Sequence, residues 1–156
     1  MRGQGQYYQR KKFRVFMVDD DRDDRQLFLD AFDELHVNIE ARAFGNGQDA
    51  LLHFEGTETL PDLLFLDMYM PVMSGLECLQ KIRADQRYAD VFVVIFSNTR
   101  DIEIIEQAFV MGANAYVRKP DKFATLKKIL NKIIAYKSQC LTYELKQEYC
   151  MLSLGT

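Results

Sequence analysis

Aspartates crowd the early part of the chain. Asp19, Asp20, Asp21, Asp23 and Asp24 fall within six residues, and Asp67 stands apart, closing the apolar run LLFLD. Two more polar groups follow apolar runs in the same way: Ser97 and Asn98 after VFVVIF, and Lys119 after AYVR. Crowded carboxylates repel one another and resist ionising unless a cation neutralises them. A hard divalent ion such as Mg2+ suits oxygen ligands and keeps waters that a phosphate oxygen can replace. Beside such an ion, Asp67 has the chemistry of a carboxylate nucleophile that forms an acyl phosphate. The cation and Lys119 would offset charge on the transferring phosphoryl group. Ser97 would offer one of its oxygens a neutral hydrogen bond.

Taken singly, each of these residues has an ordinary structural explanation. An acidic run ahead of an apolar helix is a solvated cap, and Asp23 or Asp24 is read that way. A lone strand-end Asp belongs to a turn, Lys119 to the surface, and Tyr116 to the margin of a core. Their joint meaning depends on the elements that hold them. FRVFMV (Phe13 to Val18), IEARAF, LLFLD (Leu63 to Asp67), VFVVIF (Val91 to Phe96) and AYVRK (Ala115 to Lys119) read as strands. Helical spacing separates them. Leu27, Phe28, Ala31, Phe32 and Leu35 share one face, followed by Gln48 to Phe54, Leu76 to Ala84 and Asp101 to Met111. Gly112 stands where a helix stop is expected, and Phe123, Leu126, Leu130, Ile133 and Ile134 mark the last helix. Strands alternating with helices predict a parallel sheet with right-handed crossovers. Unbroken apolar strands predict helices on both faces. In such sheets ligands bind beyond the carboxyl ends of the strands, where Asp19, Asp20, Asp67, Ser97 and Lys119 all fall.

Composition narrows the classes. With 156 residues the chain suits one domain, and 48% hydrophobic with 28% charged residues is ordinary globular composition. Twenty basic against 23 acidic residues, net −3, argues against a nucleic-acid partner. Cys78, Cys140 and Cys150 form no CxxC pair and read as reduced thiols of a cytoplasmic protein. Two histidines, His36 and His53, leave little for a His-rich zinc site. No apolar stretch has the length of a signal peptide's core or of a membrane span, so a soluble protein is expected.

VDDD, LLFLDMYMP, VVIFSN and GANAYVRKP occur in this order between about Phe13 and Tyr136. Together they resemble a response-regulator receiver domain, and are similar to small stand-alone receivers such as those paired with bacterial phytochromes. The resemblance implies an α/β, flavodoxin-like, doubly wound sheet of five parallel strands in the order 2-1-3-4-5. It implies Asp67 as the phosphoacceptor. Asp19, Asp20, Asp67 and the backbone carbonyl of Tyr69 would be the Mg2+ ligands, Ser97 and Tyr116 a switch pair, and Lys119 the phosphate-binding lysine. Tyr69 and Asn98 stand where the family carries smaller residues. The implied partners are a histidine kinase or phosphotransfer protein and a downstream protein met through the face from strand 4 to helix 5. On this reading the chain is a signalling domain that assists its own phosphorylation and dephosphorylation, and is not otherwise an enzyme.

Three other readings compete. A receiver-like scaffold acting without phosphate would be expected to lose a pocket Asp or the Lys, and neither is lost. Phosphatases with an aspartyl nucleophile usually carry an Asp two places later, where this chain has Tyr69. A flavin carrier would find its phosphate repelled by Asp19, Asp20 and Asp21. The expected organisation is a tail over 1–12, a receiver domain over 13–136 and an extension over 137–156, too short for an output domain. Leu141, Leu145, Tyr149 and Leu152 recur near the helical period, so the extension is expected to be helical, packing on its own domain or on a second copy as a homodimer.

Overall fold

The computed structural model describes residues 12–35 and 38–138. The expected extension therefore lies outside the described residues, apart from its first two positions. Strands and helices alternate: β1 Phe13–Val18, α1 Arg22–Glu34, β2 Ile39–Phe44, α2 Gly47–Glu55, β3 Leu63–Leu66, α3 Gly75–Arg83, β4 Phe92–Ser97, α4 Ile102–Val110, β5 Ala115–Arg118 and α5 Phe123–Ser138. A short 3-10 helix over Gln86–Tyr88, which the sequence pattern did not suggest, links α3 to β4. The strands form one parallel sheet ordered β2-β1-β3-β4-β5, the doubly wound arrangement expected.

Alternation along each strand splits the core in two. Phe16, Val18, Leu64, Leu66, Val93, Ile95 and Tyr116 face α2, α3 and α4, where Phe54, Leu79, Ile82 and Ile105 meet them. Val15, Met17, Phe65, Val94, Phe96 and Val117 face α1 and α5, against Phe28, Phe32, Leu130 and Ile133. Burial on both sides explains why β1, β3 and β4 read as unbroken apolar runs. Edge strand β2 has no fully buried residue.

Helix α1 starts inside the acidic run. The cap is Asp21, whose side chain accepts from the amides of Asp23 and Asp24, so the capping role assigned to Asp23 or Asp24 belongs to their predecessor. Asp21 has extended backbone and so sits before the first helical residue, as a cap must. Helix α3 opens with a capping box between Ser74 and Glu77. Helix α4 ends as expected before Gly112, whose φ is 106°. A Cβ at Gly112 would approach the Cγ of Arg83 to 2.8 Å. Arg83 is a staple between distant segments. Its guanidinium donates to the carbonyls of Gly112 at 2.9 Å, Tyr88 at 3.2 Å and Val91 at 2.8 Å, and to the Asn114 side chain at 2.8 Å. None of the described helices is long and apolar enough to cross a membrane.

Val72, in the loop between β3 and α3, has φ 70° and is 97% exposed. A β-branched residue in the left-handed region is strained, and no burial offsets the strain here. Asn visits this region more readily. Val72→Asn is expected to raise the unfolding free energy by about 1 kcal/mol. A denaturant midpoint unchanged or lowered relative to wild type would contradict this.

Candidate functional site

The strands end together. Val18 of β1 pairs with Leu66 of β3, Leu66 with Ile95 of β4, and Ser97 with Arg118 of β5. Beyond those pairs the Asp67 amide donates to the Val18 carbonyl at 2.9 Å, and the Lys119 amide donates to the Ser97 carbonyl at 3.0 Å. Register alone therefore lines up Asp19, Asp67, Ser97 and Lys119. The strand order reverses about β1, so the crevice beyond β1 and β3 is the place such sheets leave for a ligand.

Carboxylate oxygens of Asp19, Asp20 and Asp67 lie within 4.8 Å of one another. Asp19 is fully buried and Asp67 is 7% exposed, whereas Asp20 is open to solvent. Asp19 accepts from the Asp21 amide at 2.9 Å and from Lys119 Nζ at 2.7 Å. Asp67 Oδ1 accepts from the Met68 amide at 2.9 Å and stands 3.7 Å from Lys119 Nζ. Burial, and next the negative charge of Asp19, push the Asp67 carboxyl up to about 6 despite Lys119. Burial also raises Asp19, opposed by its bond from Lys119. Burial alone would lower Lys119, but its bonds to Asp19 and Asp24 hold the ammonium above its ordinary range. The donor set is all oxygen, two members are buried and the third is open to solvent. That composition fits a hard divalent cation that keeps some of its water.

Ser97 is fully buried at the end of β4, and its hydroxyl accepts weakly from the Thr99 amide at 3.4 Å. Tyr116 lies one layer beneath the edge, 1% exposed, and its hydroxyl donates to the Thr99 carbonyl at 2.6 Å. Burial pushes this phenol up to about 12, so it stays a neutral donor. Tyr69 is 56% exposed, and Asn98 is also exposed.

Three participants were not singled out in the sequence. Asp24, read as a cap, instead accepts from Lys119 Nζ at 2.8 Å. Arg25 donates to the Asp19 carbonyl at 2.8 Å, tying α1 to the end of β1. Gly75, read only as loop punctuation, donates its amide to the Met68 carbonyl at 2.8 Å. A Cβ at Gly75 would overlap the carbonyl oxygen of Asp67 and come within 2.7 Å of Met68 Cα. A glycine there lets α3 begin directly against the backbone of Asp67.

The raised Asp67 carboxyl has a consequence for stability. Its ordinary value is 3.8 and its folded value about 6, so between them the folded chain holds more protons than the unfolded chain. Stability therefore falls as pH rises through this window, and the penalty is complete above it. Without divalent ions at pH 7.5, Asp67→Asn is expected to stabilise the fold by about 1–3 kcal/mol, and at pH 4 by little. Melts at the two pH values showing equal gains would contradict this.

Residues 15–131 match the response regulator receiver domain family. The chain is 31% identical over 130 residues to the chemotaxis protein CheY-3 of Vibrio cholerae, covering 79% of this chain and 92% of that protein. It is 32% identical over 130 residues to the probable C4-dicarboxylate response regulator DctR of Bacillus subtilis, covering 83% of this chain but 56% of that protein. The chain thus spans about half the length of that relative. Among solved structures, the phosphorylated cyanobacterial phytochrome response regulator RcpA superposes with a TM-score of 0.75 at 24% identity, over 83% of this chain and 96% of that one. With the family's segment running from within β1 through β5 and taking in the aspartates, serine and lysine at the carboxyl edge of the sheet, this chain belongs to the response regulator receiver domain family.

Proposed function

We propose that this chain acts as the phosphate-accepting receiver of a two-component relay. Asp67 accepts a phosphoryl group from a histidine kinase or phosphotransfer protein, with Mg2+ held by Asp19, Asp20, Asp67 and the backbone carbonyl of Tyr69. The observation that carries this reading is the cluster itself: three carboxylates within 4.8 Å, one at the end of β3, with a lysine ammonium beside them. Membership of the receiver family and likeness to a phosphorylated phytochrome regulator support it.

In the transfer, a carboxylate oxygen of Asp67 bonds to phosphorus as the N–P bond of a phosphohistidine breaks, and its electron pair returns to the imidazole. A divalent ion held by these carboxylates would supply charge compensation for the phosphoryl oxygens. Lys119 adds a second positive charge, and the Ser97 hydroxyl is placed to donate to one oxygen. Hydrolysis reverses the modification: water attacks phosphorus, phosphate leaves, and the Asp67 carboxylate is restored. Incubation with acetyl phosphate and Mg2+ is expected to add one phosphoryl mass, lost in Asp67→Asn and in excess chelator. Label that persists in either condition refutes the assignment, and no label under any condition favours a scaffold that works without phosphate.

Ser97 and Tyr116 carry the signal outward on this reading. When its hydroxyl turns to a phosphoryl oxygen, Ser97 gives up the Thr99 amide and moves the loop ahead of α4. Tyr116 feels that movement through its bond to the Thr99 carbonyl, and the face from β4 to α5 changes shape. Ser97→Ala and Tyr116→Phe are expected to accept phosphate yet show smaller phosphorylation-induced amide shifts across α4 and β5. Wild-type shifts in both variants would break this link.

A further inference from the structure

We infer that Asp24 is a further positioning residue, holding the Lys119 ammonium on the α1 side of the cleft until a phosphoryl oxygen replaces it. The inference rests on Asp67 as the phosphoacceptor. Lys119 Nζ is 2.7 Å from Asp19 Oδ2, 2.8 Å from Asp24 Oδ2 and 3.7 Å from Asp67 Oδ1. The last distance is too long for a hydrogen bond. Two of the three N–H groups are thus committed away from the residue that would carry the phosphate.

Placing the ammonium on a phosphoryl oxygen means loosening one of those two bonds, and burial decides which. The Asp19 side chain is 0% exposed, so no water can take the lysine's place there, whether or not a cation shares the carboxylate. The Asp24 side chain is 34% exposed, and water can replace the lysine there at little cost. Asp24 also stands outside the carboxylate cluster suited to a cation, which comprises Asp19, Asp20 and Asp67. Asp19 therefore anchors the lysine permanently, while Asp24 competes with the phosphoryl group for it. Its neighbour Asp23 lies in the same helical turn, carries the same charge and has no bond to Lys119.

Beryllofluoride, an anion shaped like a phosphoryl group, tests the competition by calorimetric titration in Mg2+ buffer. Asp24→Asn is expected to bind it about threefold to fivefold more tightly than wild type, the equivalent of one partly exposed ion pair. Asp23→Asn is expected to match wild type, and Asp24→Glu to restore wild-type affinity. In a Lys119→Gln background, Asp24→Asn is expected to have no effect. Equal tightening in Asp23→Asn or in the Lys119→Gln background means bulk charge and overturns the inference, as does no tightening in Asp24→Asn. A second measurement needs no anion: the Lys119 ammonium nitrogen resonance of the ligand-free chain is expected to shift in Asp24→Asn and not in Asp23→Asn. An unshifted resonance overturns the inference even if the anion does not bind. A wild-type chain that neither binds beryllofluoride nor gains phosphoryl mass instead refutes Asp67 as the phosphoacceptor.

Discussion

A single ammonium makes the carboxyl edge of this sheet tolerable. Asp19 has no exposed surface, and such a carboxylate is sustainable only when it is paired and hydrogen-bonded. Lys119 provides the pair and the Asp21 amide a second bond. Much of the architecture serves this contact. Strand β5 is only four residues long, and Pro120, with no amide to donate, follows the lysine immediately. The Lys119 amide bonds the last residue of β4, which fixes where its side chain begins. Helix α1 starts early enough to bring Asp24 to the same nitrogen.

Where the sequence spoke clearly, one physical signal dominated. Strands covered on both faces must be apolar without interruption, so LLFL and VFVVIF stood out, and the polar residue closing each run marked the edge. Parallel registers then aligned Asp67, Ser97 and Lys119 without any further information. The Asp19 to Asp24 run was different, because five identical residues carry no signal of their own orientation. Their roles diverge by the angle each occupies where a strand becomes a helix: Asp19 points inward, Asp21 caps, and Asp24 returns to the cleft one turn later. The Arg83 staple was equally hidden. It joins residues separated by up to 31 positions, and the sequence offers only a polar residue at the end of an amphipathic helix.

The two halves of the core do different work. The layer under α1 and α5 is apolar packing, dense in Phe28, Phe32, Phe65 and Phe96, whose rings meet edge to face. The layer under α2, α3 and α4 contains Tyr116, a buried strand residue whose side chain bonds to the loop ahead of α4. It also holds Cys78, wedged near the backbone of Gly47 and raised to about 12 by burial, a packing residue with no thiolate chemistry at neutral pH.

The Arg83 staple gives α4 unequal ends. At its carboxyl end the guanidinium clamps Gly112 and Asn114 to the start of β4 through backbone and amide oxygens. At its amino end the attachments are lighter: the Asp101 cap, and the bond from Tyr116 to the Thr99 carbonyl. Mechanically this is a lever of nine residues, about 13 Å long, with its fulcrum at Gly112. Displacement applied near Ser97 acts on the free arm. It would be largest at exposed Ile102 and smallest at Val110, so the swing of the helix would be graded along its length.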